Sequence, residues 1–361
     1  MERKIYITYG TVIEKMTEEL LEAVNAAALI GQKNSKIVLK PNLVVPSDPS
    51  DGATTHTEII ETIICYLQER GFDDITIAES SWVGARTEDA FNLLGYHRIE
   101  KEYGIKLLDI KKDRFETVER YGMKMEVSKT ILDADFLIDI PVLKGHCQTK
   151  MTHAVKNLKG CISDRSKREF HRLGLDKPIA VLGTIIKPDL VISDGIAGDL
   201  DFEEGGNPVE SWRMMASRDA FLMDSYSALL MGYRPEEIGY LREAEKLGIR
   251  ISSDDAEITE LSKPIKKSAR PSGYARKLAS NIAEDEACSA CFASLVRALK
   301  KADDTGCLGN LKGRKIAIGQ GYRGKCIEIG AGACCSNAKH SAEGCPVSAE
   351  KAYEMIRSLN D

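Results

Sequence analysis

The sequence has no apolar run that approaches the roughly 18–20 residues needed to span a bilayer. Its first residues, Met1-Glu-Arg-Lys-Ile-Tyr-Ile7, are charged and then strand-like, and they lack the apolar core of a signal peptide. The formal net charge is only −5 over 361 residues, which is not the strong imbalance of a nucleic-acid or membrane binder. We therefore expect a cytoplasmic protein with neither a nucleic-acid nor a membrane partner.

Phosphate-binding motifs are also missing. The chain has no Gly-x-x-x-x-Gly-Lys-Ser/Thr loop and no Gly-x-Gly-x-x-Gly after a first strand. The partial match Gly319-Gln-Gly-Tyr-Arg-Gly324 follows a late strand inside a cysteine-rich region, so it is discounted. Nucleotide hydrolysis and standard dinucleotide binding are therefore not expected.

Strand and helix signals alternate along most of the chain. The predicted strands are Ile5–Tyr9, Lys36–Leu43, Asp74–Ala78, Phe136–Pro141 and Leu190–Ser193. The predicted helices are Thr17–Ile30, His56–Arg70, Thr87–Leu94, Met151–Leu158, Ala220–Met231 and Pro235–Leu247. This order predicts an α/β fold with mostly parallel sheets covered by helices, followed by a small cysteine-rich α+β domain.

The composition changes near the end of this pattern. We predict an α/β body at 1–261, a basic linker at 262–282 and a cysteine-rich domain at 283–361. Two prolines, a glycine and six basic residues within 262–277 indicate a solvated linker. The same residues could instead dock an acidic redox partner protein.

Seven of the ten cysteines lie between Cys288 and Cys345, a density that indicates a metal site. A disulfide framework is not expected in a reducing compartment. Cys288-Ser-Ala-Cys291 begins a predicted helix, where two thiolates can converge on one centre. Cys326 and Cys345 follow glycines, and the Cys345-Pro346 step recurs in ferredoxin-type ligand runs.

These spacings predict a [4Fe–4S] cluster on Cys288, Cys291, Cys326 and Cys345. The reserve ligands are Cys307, Cys334 and Cys335. Structural zinc and metal-free thiol–disulfide chemistry stay open as alternatives. A second Cys-x-x-Cys, typical of a zinc ribbon, is absent.

The segment from Lys144 to Arg172 carries eight Lys or Arg and three of the six histidines. It follows a predicted strand, and ligands of open α/β sheets bind at the carboxyl ends of strands. We expect Lys144, His146 and His153 to be catalytic, and Lys156, Asn157 and Lys159 to bind an anionic substrate. On a helix, His153, Lys156 and Asn157 would share one face.

Not every charge in this segment is expected to act. For Arg165, Lys167 and Arg168 we expect a solvated surface. His97 and His340 receive no role.

Two further places have a comparable location: the end of the second strand with the loop that follows it, and the end of a later strand. Lys40 and Asn42 end the second strand, His56 opens a helix, and Asp194 ends a later strand. We expect these four residues to contribute to substrate binding. The glycine-rich loop after Asp194 could be a lid or simply flexible surface. His146, His153, His171 and Asp194 could in principle hold a second metal, but their spacing matches no specific pattern.

The chain resembles the prokaryotic family called domain of unknown function 362. The matching stretches are Leu39-Lys-Pro-Asn-Leu43, Thr55-His56, Pro141-Val-Leu-Lys-Gly-His146, Thr152-His-Ala-Val-Lys-Asn-Leu-Lys-Gly160, Val191-Ile-Ser-Asp-Gly195, Ser217-Arg-Asp-Ala220 and Gly344-Cys-Pro346. Val347 stands where the family motif often has a second proline. The resemblance implies a C-terminal iron–sulfur region, and the layout is distantly similar to the two-lobed lactate-racemase family.

Together these observations predict an iron–sulfur protein of anaerobic metabolism that acts on a small anionic molecule. A redox or cluster-assisted enzyme is the main hypothesis. A non-enzymatic electron carrier, and an isomerase or racemase with a structural cluster, are the alternatives. The oligomeric state is not predicted.

Overall fold

The computed structural model describes residues 3–265 and 270–359, which form two compact units. The first unit contains 3–167 and 176–265 with Arg270, and the second contains 168–175 and 271–359. The change of unit falls inside the predicted linker, but that linker is partly structured because it contains a helix, Tyr274–Ala279, and the start of a strand. Residues 266–269 of it lie outside the described residues.

The strands of the described residues, in chain order, are β1 (Lys4–Tyr9), β2 (Ile37–Pro41), β3 (Ile75–Glu79), β4 (Lys106–Asp109), β5 (Phe115–Arg120), β6 (Met123–Ser128), β7 (Phe136–Ile140), β8 (Lys144–His146), β9 (Lys150–Thr152), β10 (Leu190–Gly198), β11 (Val209–Ser217), β12 (Glu257–Glu260), β13 (Ile282–Glu284), β14 (Ile316–Ile318), β15 (Ile327–Ala331) and β16 (Ala338–Ala342).

The α-helices are α1 (Ile13–Ala23), α2 (Ala26–Ile30), α3 (Thr57–Glu69), α4 (Thr87–Leu93), α5 (Tyr96–Tyr103), α6 (Lys129–Leu132), α7 (Ala154–Asn157), α8 (Asp164–Leu173), α9 (Asp176–Ile185), α10 (Ala220–Leu230), α11 (Gly239–Lys246), α12 (Tyr274–Ala279), α13 (Ser289–Asp304) and α14 (Ala349–Ser358). In the part of the chain that the structure describes, no helix is long and apolar enough to cross a membrane.

An eight-stranded sheet forms the centre of the first unit, in the order β12-β1-β11-β10-β7-β2-β3-β4. Neighbours are parallel except where β11 pairs with β1 and β10. The predicted mostly parallel α/β fold is therefore confirmed. Three strands of this sheet, β4, β11 and β12, were not predicted.

The core of this sheet follows from its sequence. Every residue of β2 and β7 is buried, as expected for parallel strands covered on both faces. Helix α3 packs on the sheet through an apolar stripe that repeats every three to four residues. The stripe consists of Ile59, Ile60, Ile63, Ile64 and Leu67, all of which are fully buried.

Two predicted helices take a different form. The predicted helix at 17–30 is interrupted by Asn25, whose φ of 52° places it in the left-handed region. The predicted helix at 151–158 consists of the end of β9, the single turn of α7 and a 3-10 turn, Leu158–Cys161. His153 precedes α7 with extended backbone. His153 therefore does not share a helix face with Lys156 and Asn157, contrary to the sequence prediction.

The second unit has its own parallel sheet, in the order β13-β14-β15-β16. Helices α13 and α14 carry buried apolar faces that include Leu295, Leu299 and Ile356. Most of the cysteines in this unit lie in turns beside the strands rather than in the helices. The loops that join these strands therefore decide which thiols meet.

Candidate functional site

A buried ion pair lies at the carboxyl ends of β2 and β3. Nζ of Lys40 lies 2.7 Å from Oε2 of Glu79 and 2.9 Å from the carbonyl oxygen of Pro41. Burial lowers the pKa of Lys40, but Glu79 together with Cys161 and Asp139 raises it above its ordinary value, so the amine is charged. A Cβ on Gly160 would fall 1.9 Å from Glu79 Oε1, so the glycine of the Lys-Asn-Leu-Lys-Gly stretch is required for this close packing.

Asp139 stands beside this pair, because β2 and β7 are parallel and Lys40 is its register partner. Oδ1 of Asp139 accepts a hydrogen bond of 2.8 Å from Nδ2 of Asn157, whereas Oδ2 has no hydrogen-bond partner in the described residues. Burial raises the pKa of Asp139 to about 8 despite the nearby Lys40 charge. Asp139 is therefore a neutral acid at pH 7, and Asn157 acts to hold it in place.

Lys144 is fully buried and has only uncharged groups within hydrogen-bonding distance among its described contacts. Its Nζ donates to the carbonyl oxygen of Ala53 at 2.5 Å and to Oδ1 of Asn42 at 3.2 Å. Burial lowers the pKa of Lys144 to about 7, and the more distant carboxylates, Glu203 first, compensate only partly. A lysine of this kind can lose its proton near neutral pH, which is what a general base requires.

His146 faces a carboxylate that the sequence did not indicate. Its Nδ1 accepts the backbone N–H groups of Gln148 and Thr149, each at 3.0 Å, so we assign the proton of the neutral ring to Nε2. Nε2 lies 2.9 Å from Oε2 of Glu203. Nε2 has no hydrogen-bond partner of acceptable geometry in the described residues, so this contact is electrostatic. Burial lowers the pKa of His146 to about 4.

Glu203 is shared between His146 and Lys156. Oε1 of Glu203 lies 2.6 Å from Nζ of Lys156, which also donates to Oγ1 of Thr152 at 3.0 Å. Burial alone would raise the pKa of Glu203, but His146, Lys156 and Lys144 together hold it well below its ordinary value. Three groups predicted to bind or transform an anion thus surround one internal carboxylate.

His56 and Asp194 form a second pair at the same strand ends. Oδ2 of Asp194 lies 2.8 Å from Nδ1 of His56 and accepts its backbone N–H at 2.9 Å. Burial lowers the pKa of His56, but Asp194 together with Glu58 and Asp48 raises it above its ordinary value. The hydroxyl of Thr55 bridges the neighbouring strands by donating to the carbonyl oxygen of Ile140 and accepting from the N–H of Asn42, both at 2.8 Å. The predicted residues of this loop therefore lie at the sheet edge, as expected.

His153 occupies a separate buried network. Its Nδ1 lies 3.0 Å from Oδ1 of Asp224, and its Nε2 lies 2.6 Å from Oγ of Ser193. Asp224 also accepts the hydroxyl of Tyr240 at 2.9 Å. The order serine–histidine–aspartate is that of a nucleophilic triad, but all three side chains are fully buried. The catalytic role of His153 stays a prediction.

The remaining charges of the basic segment divide between core and surface. Arg165 and Arg168 are exposed, as expected, but Lys167 is buried, so the surface prediction for it is wrong. Its Nζ donates to Oγ of Ser80 at 2.6 Å, and burial lowers its pKa to about 8. Lys159 is half-buried in the 3-10 turn that follows α7.

A cavity of about 360 Å³ opens at the amino ends of β2, β3 and β4, between Lys36, Thr76 and Lys106. The predicted site residues do not line it, since they lie at the opposite ends of the strands. Two of them, Lys156 and His146, instead contact Glu203 in the polar loop of residues 199–207.

Four cysteines converge in the second unit: Cys288, Cys291, Cys334 and Cys345. Burial, together with the other three thiols, raises the pKa of Cys291 to about 11. The backbone N–H of Val347 donates to the sulfur of Cys291, and a Cβ on Gly332 would fall 3.6 Å from that sulfur. The N–H of Ala333 donates to the carbonyl oxygen of Gly344 at 2.8 Å, which joins the two loops that carry Cys334 and Cys345.

The other predicted ligands have different surroundings. Cys326 is exposed in the turn before β15, Cys307 has its thiol directed at the carbonyl oxygen of Thr305, and Cys335 is buried with backbone N–H groups of Gly319 and Ala331 on its sulfur. The structure thus groups a reserve cysteine, Cys334, with three of the four predicted ligands.

Within 3–265 and 270–359, no three His, Cys, Asp or Glu side chains are arranged to ligate a single metal ion. The set of His146, His153, His171 and Asp194 is therefore not assembled as a second metal site.

Several residues of the site carried weak signals in the sequence. Asp139 interrupts an apolar strand, and Glu79 ends one, so both could have been noticed as polar residues in buried runs. Glu203 lies in a polar loop with no pattern of its own. Its role depends on a chain reversal that only the tertiary structure shows.

Comparisons with known proteins agree with the resemblance seen in the sequence. A family model described as Domain of unknown function (DUF362) matches residues 37–228. The thylakoid-associated protein sll1697 of Synechocystis sp. is 29% identical over 247 residues, which make up 66% of this chain and 76% of that protein.

Two solved structures are similar at a TM-score of 0.40 and 16% identity. They are the lactate racemase apoprotein from Thermoanaerobacterium thermosaccharolyticum and a protein from Thermotoga maritima. The similar regions cover 64% and 66% of this chain but only 57% and 59% of those chains. The distant likeness to lactate racemase is confirmed, at a level that carries no argument about activity.

Proposed function

The chain belongs to the family called domain of unknown function 362, and we propose that it is an iron–sulfur protein of anaerobic metabolism that acts on a small carboxylate. The observation that carries this proposal is the convergence of Cys288, Cys291, Cys334 and Cys345 in one unit of a chain whose body collects buried cations at its strand ends. The family label names no reaction. A cytoplasmic location stays an expectation from the sequence.

The cysteine group suits a [4Fe–4S] cluster better than a single ion. Each thiolate of such a cluster binds a different iron, so its sulfurs are spread around the cluster. This accounts for four neighbouring cysteines that do not meet the geometry for one metal ion in the described residues. Cys288 precedes the N-terminus of α13, whose dipole favours thiolates. A bound cluster supplies electron transfer, or Lewis acidity where one iron lacks a protein ligand.

The strand-end residues supply the other half of the proposal. Lys156 is placed to hold a carboxylate, and His146 presents a neutral N–H beside it. Lys144, with a pKa of about 7, can take up or release a proton near physiological pH. A fixed cation, a donor and a base within one constellation are the groups that proton abstraction next to a carboxylate requires.

Two alternatives depend on different parts of the same structure. An electron carrier requires only the cysteine unit. The buried lysines of the body disfavour this alternative, because electron transfer by a carrier does not require them. An isomerase or racemase with a structural cluster is favoured by the presence of two titratable groups, Lys144 and His146, on the same short strand β8, since such a reaction needs acid–base groups and no electrons.

The first experiment is an iron, sulfide and zinc analysis of anaerobically purified protein, with visible absorption and electron paramagnetic resonance of the reduced state. We expect about four iron and four sulfide per chain and an absorption band that dithionite bleaches. One zinc without sulfide would overturn the cluster.

Matched serine variants then identify the fourth ligand. Cys334→Ser should lose most of the iron, whereas Cys326→Ser and Cys307→Ser should keep it. The reverse result for Cys326 and Cys334 would restore the ligand set that the sequence predicts.

Ligand titrations separate the proposed enzyme from the alternatives. Calorimetric titration with acetate and glycolate should give saturable binding that Lys156→Met abolishes, and a pure carrier should give none. For a racemase, isotope exchange at the carbon next to the carboxylate should persist in a folded cluster-ligand variant. In a redox enzyme, that variant should lose the reaction.

A further inference from the structure

Glu203 occupies a position that a substrate carboxylate would be expected to take. Its two oxygens face two different cationic or N–H groups, 2.6 Å from Nζ of Lys156 and 2.9 Å from Nε2 of His146. Oε1 also lies 3.5 Å from the hydroxyl of Thr152. These three partners surround a planar, two-oxygen anion, and all of them are buried.

The loop that carries Glu203 is held together as one unit by Asp199. Oδ1 of Asp199 accepts the backbone N–H groups of Asp201 and Phe202, at 2.9 and 2.8 Å. Its Oδ2 accepts the N–H of Asn207 at 2.9 Å. One carboxylate therefore ties both ends of the loop together, and we call residues 199–207 the flap.

The flap rests on the site through backbone contacts. The N–H of Gly206 donates to the carbonyl oxygen of Asp51 at 2.9 Å. The N–H of Gly145 donates to the carbonyl oxygen of Asp199 at 2.8 Å. A Cβ on Gly145 would fall 2.1 Å from the carbonyl oxygen of Leu200, so the flap lies directly on β8. These backbone contacts join the flap to the loop before α3 and to β8, and Glu203 adds the side-chain contacts to Lys156 and His146.

We infer that Glu203 is an internal stand-in for the substrate, and that a small monocarboxylate displaces it from Lys156 and His146 as the flap opens. This inference rests on the proposed function and specifies its substrate class. A carboxylate is favoured over a phosphate because the group that these partners hold in the structure is itself a carboxylate, with one partner on each of its two oxygens. The exchange leaves the net charge of the site unchanged, because the carboxylate of Glu203 leaves Lys156 and the carboxylate of the ligand takes its place.

A competing internal carboxylate weakens the apparent affinity for an external one, since only the open fraction of the protein binds. Removing it should therefore strengthen binding and leave Lys156 without its counter-ion until a ligand arrives. Glu203→Ala creates the space, and Glu203→Gln removes the charge while keeping the shape. Glu204→Ala is the matched control, because Glu204 is the adjacent glutamate in the same flap and is equally buried.

The experiment compares the full-length, iron-loaded wild type with these three variants in chloride, acetate and phosphate buffers of equal ionic strength. Thermal midpoints and calorimetric titrations with acetate are measured. We expect acetate to bind Glu203→Ala at least about tenfold more tightly than the wild type. Acetate should also raise the thermal midpoint of Glu203→Ala. The response of Glu204→Ala to acetate should equal that of the wild type.

The possible outcomes separate the two proposals. Equal acetate affinity in the wild type and in both Glu203 variants would overturn the stand-in role and leave the proposed function intact. No acetate binding by any folded variant would overturn the proposed carboxylate site itself. A preference of Glu203→Ala for phosphate over acetate would overturn the substrate class. If Glu203→Ala does not fold, the same acetate and phosphate measurements on Glu203→Gln distinguish these outcomes.

Discussion

Nζ of Lys40 lies 2.7 Å from Oε2 of Glu79, and neither side chain reaches solvent. Oε2 of Glu79 also accepts the N–H of Leu43 at 3.3 Å, and Oε1 accepts that of Ser80 at 2.6 Å. The ion pair thus fixes the ends of two adjacent parallel strands. Removing one partner of a buried ion pair costs much stability, whereas replacing both partners by apolar residues of similar size is often tolerated.

We predict that Glu79→Gln lowers the free energy of unfolding by about 3–5 kcal/mol, because it leaves the Lys40 charge buried without a counter-ion. The double variant Lys40→Met, Glu79→Leu should cost less than Glu79→Gln alone. Urea unfolding followed by circular dichroism measures both. A double variant that is less stable than the single one would contradict the isolated-charge explanation.

Asp139→Asn should stabilise the protein in a pH-dependent way. The pKa of Asp139 is raised from 3.8 to about 8, so the stability that its protonated form contributes is full below pH 3.8. That stability is lost as the pH rises through about 8. The variant should therefore be about as stable as the wild type at pH 4. Its advantage in free energy of unfolding should then grow with pH, by at most about 1.4 kcal/mol per pH unit, and become constant above pH 8.

Chemical denaturation of both proteins between pH 4 and 9 measures this gain. Because the other titrating groups are shared, the difference between the curves isolates Asp139. A constant difference across the range would show that Asp139 keeps its ordinary pKa.

Ser193 should not act as a nucleophile, despite its 2.6 Å contact with His153. Its side chain is fully buried, so a fluorophosphonate probe should not label the folded protein. Ser193→Ala should instead cost roughly 1–3 kcal/mol of stability, because Nε2 of His153 loses its partner. Ser227→Ala is the matched control, since the buried Ser227 hydroxyl has no partner among the described residues, and it should be nearly neutral. Stoichiometric labelling that Ser193→Ala abolishes would establish the triad as catalytic.

Arg323 should tune the proposed cluster. Its guanidinium donates to the sulfur of Cys334 and also lies near Cys345 and Cys288, which raises the pKa of Arg323. A nearby positive charge stabilises the reduced, more negative cluster, so Arg323→Gln should lower the reduction potential. Redox titration followed by electron paramagnetic resonance measures the shift.

Arg314→Gln is the control for this variant, because Arg314 pairs with Glu328 at 2.8 Å in the same unit. An unchanged potential in Arg323→Gln with full iron content would exclude the tuning role.

Much of the fold follows from local patterns. β2 and β7 are short apolar runs bounded by polar residues, and α3 repeats its isoleucines at helical spacing, so both kinds of element were predicted. The helix break at Asn25 was missed, although Asn adopts the left-handed conformation more readily than most residues. The segment around His153 was predicted wrongly because its backbone is set by tertiary contacts. For His153 those contacts come from Asp224 and Ser193, far along the chain.

The candidate site shows the same division. The sequence by itself determined which residues lie at the carboxyl ends of the strands, because a buried strand followed by Lys, Asn or Asp can only place that side chain at the sheet edge. It also determined that most of the cysteines lie in one segment, between Cys288 and Cys345. Composition and period are local properties, and they are sufficient for these conclusions.

Only the tertiary structure decided the partners. Glu203 reaches Lys156 and Cys334 joins Cys291 through loops whose course no local pattern encodes. The protonation states depend on the same closure: burial brings Lys144 to a pKa of about 7 and Asp139 to about 8, while the equally buried Lys40 stays charged beside Glu79. Desolvation and distance between charges are properties of the folded chain, so the chemistry of this site is fixed only when the strands and loops meet.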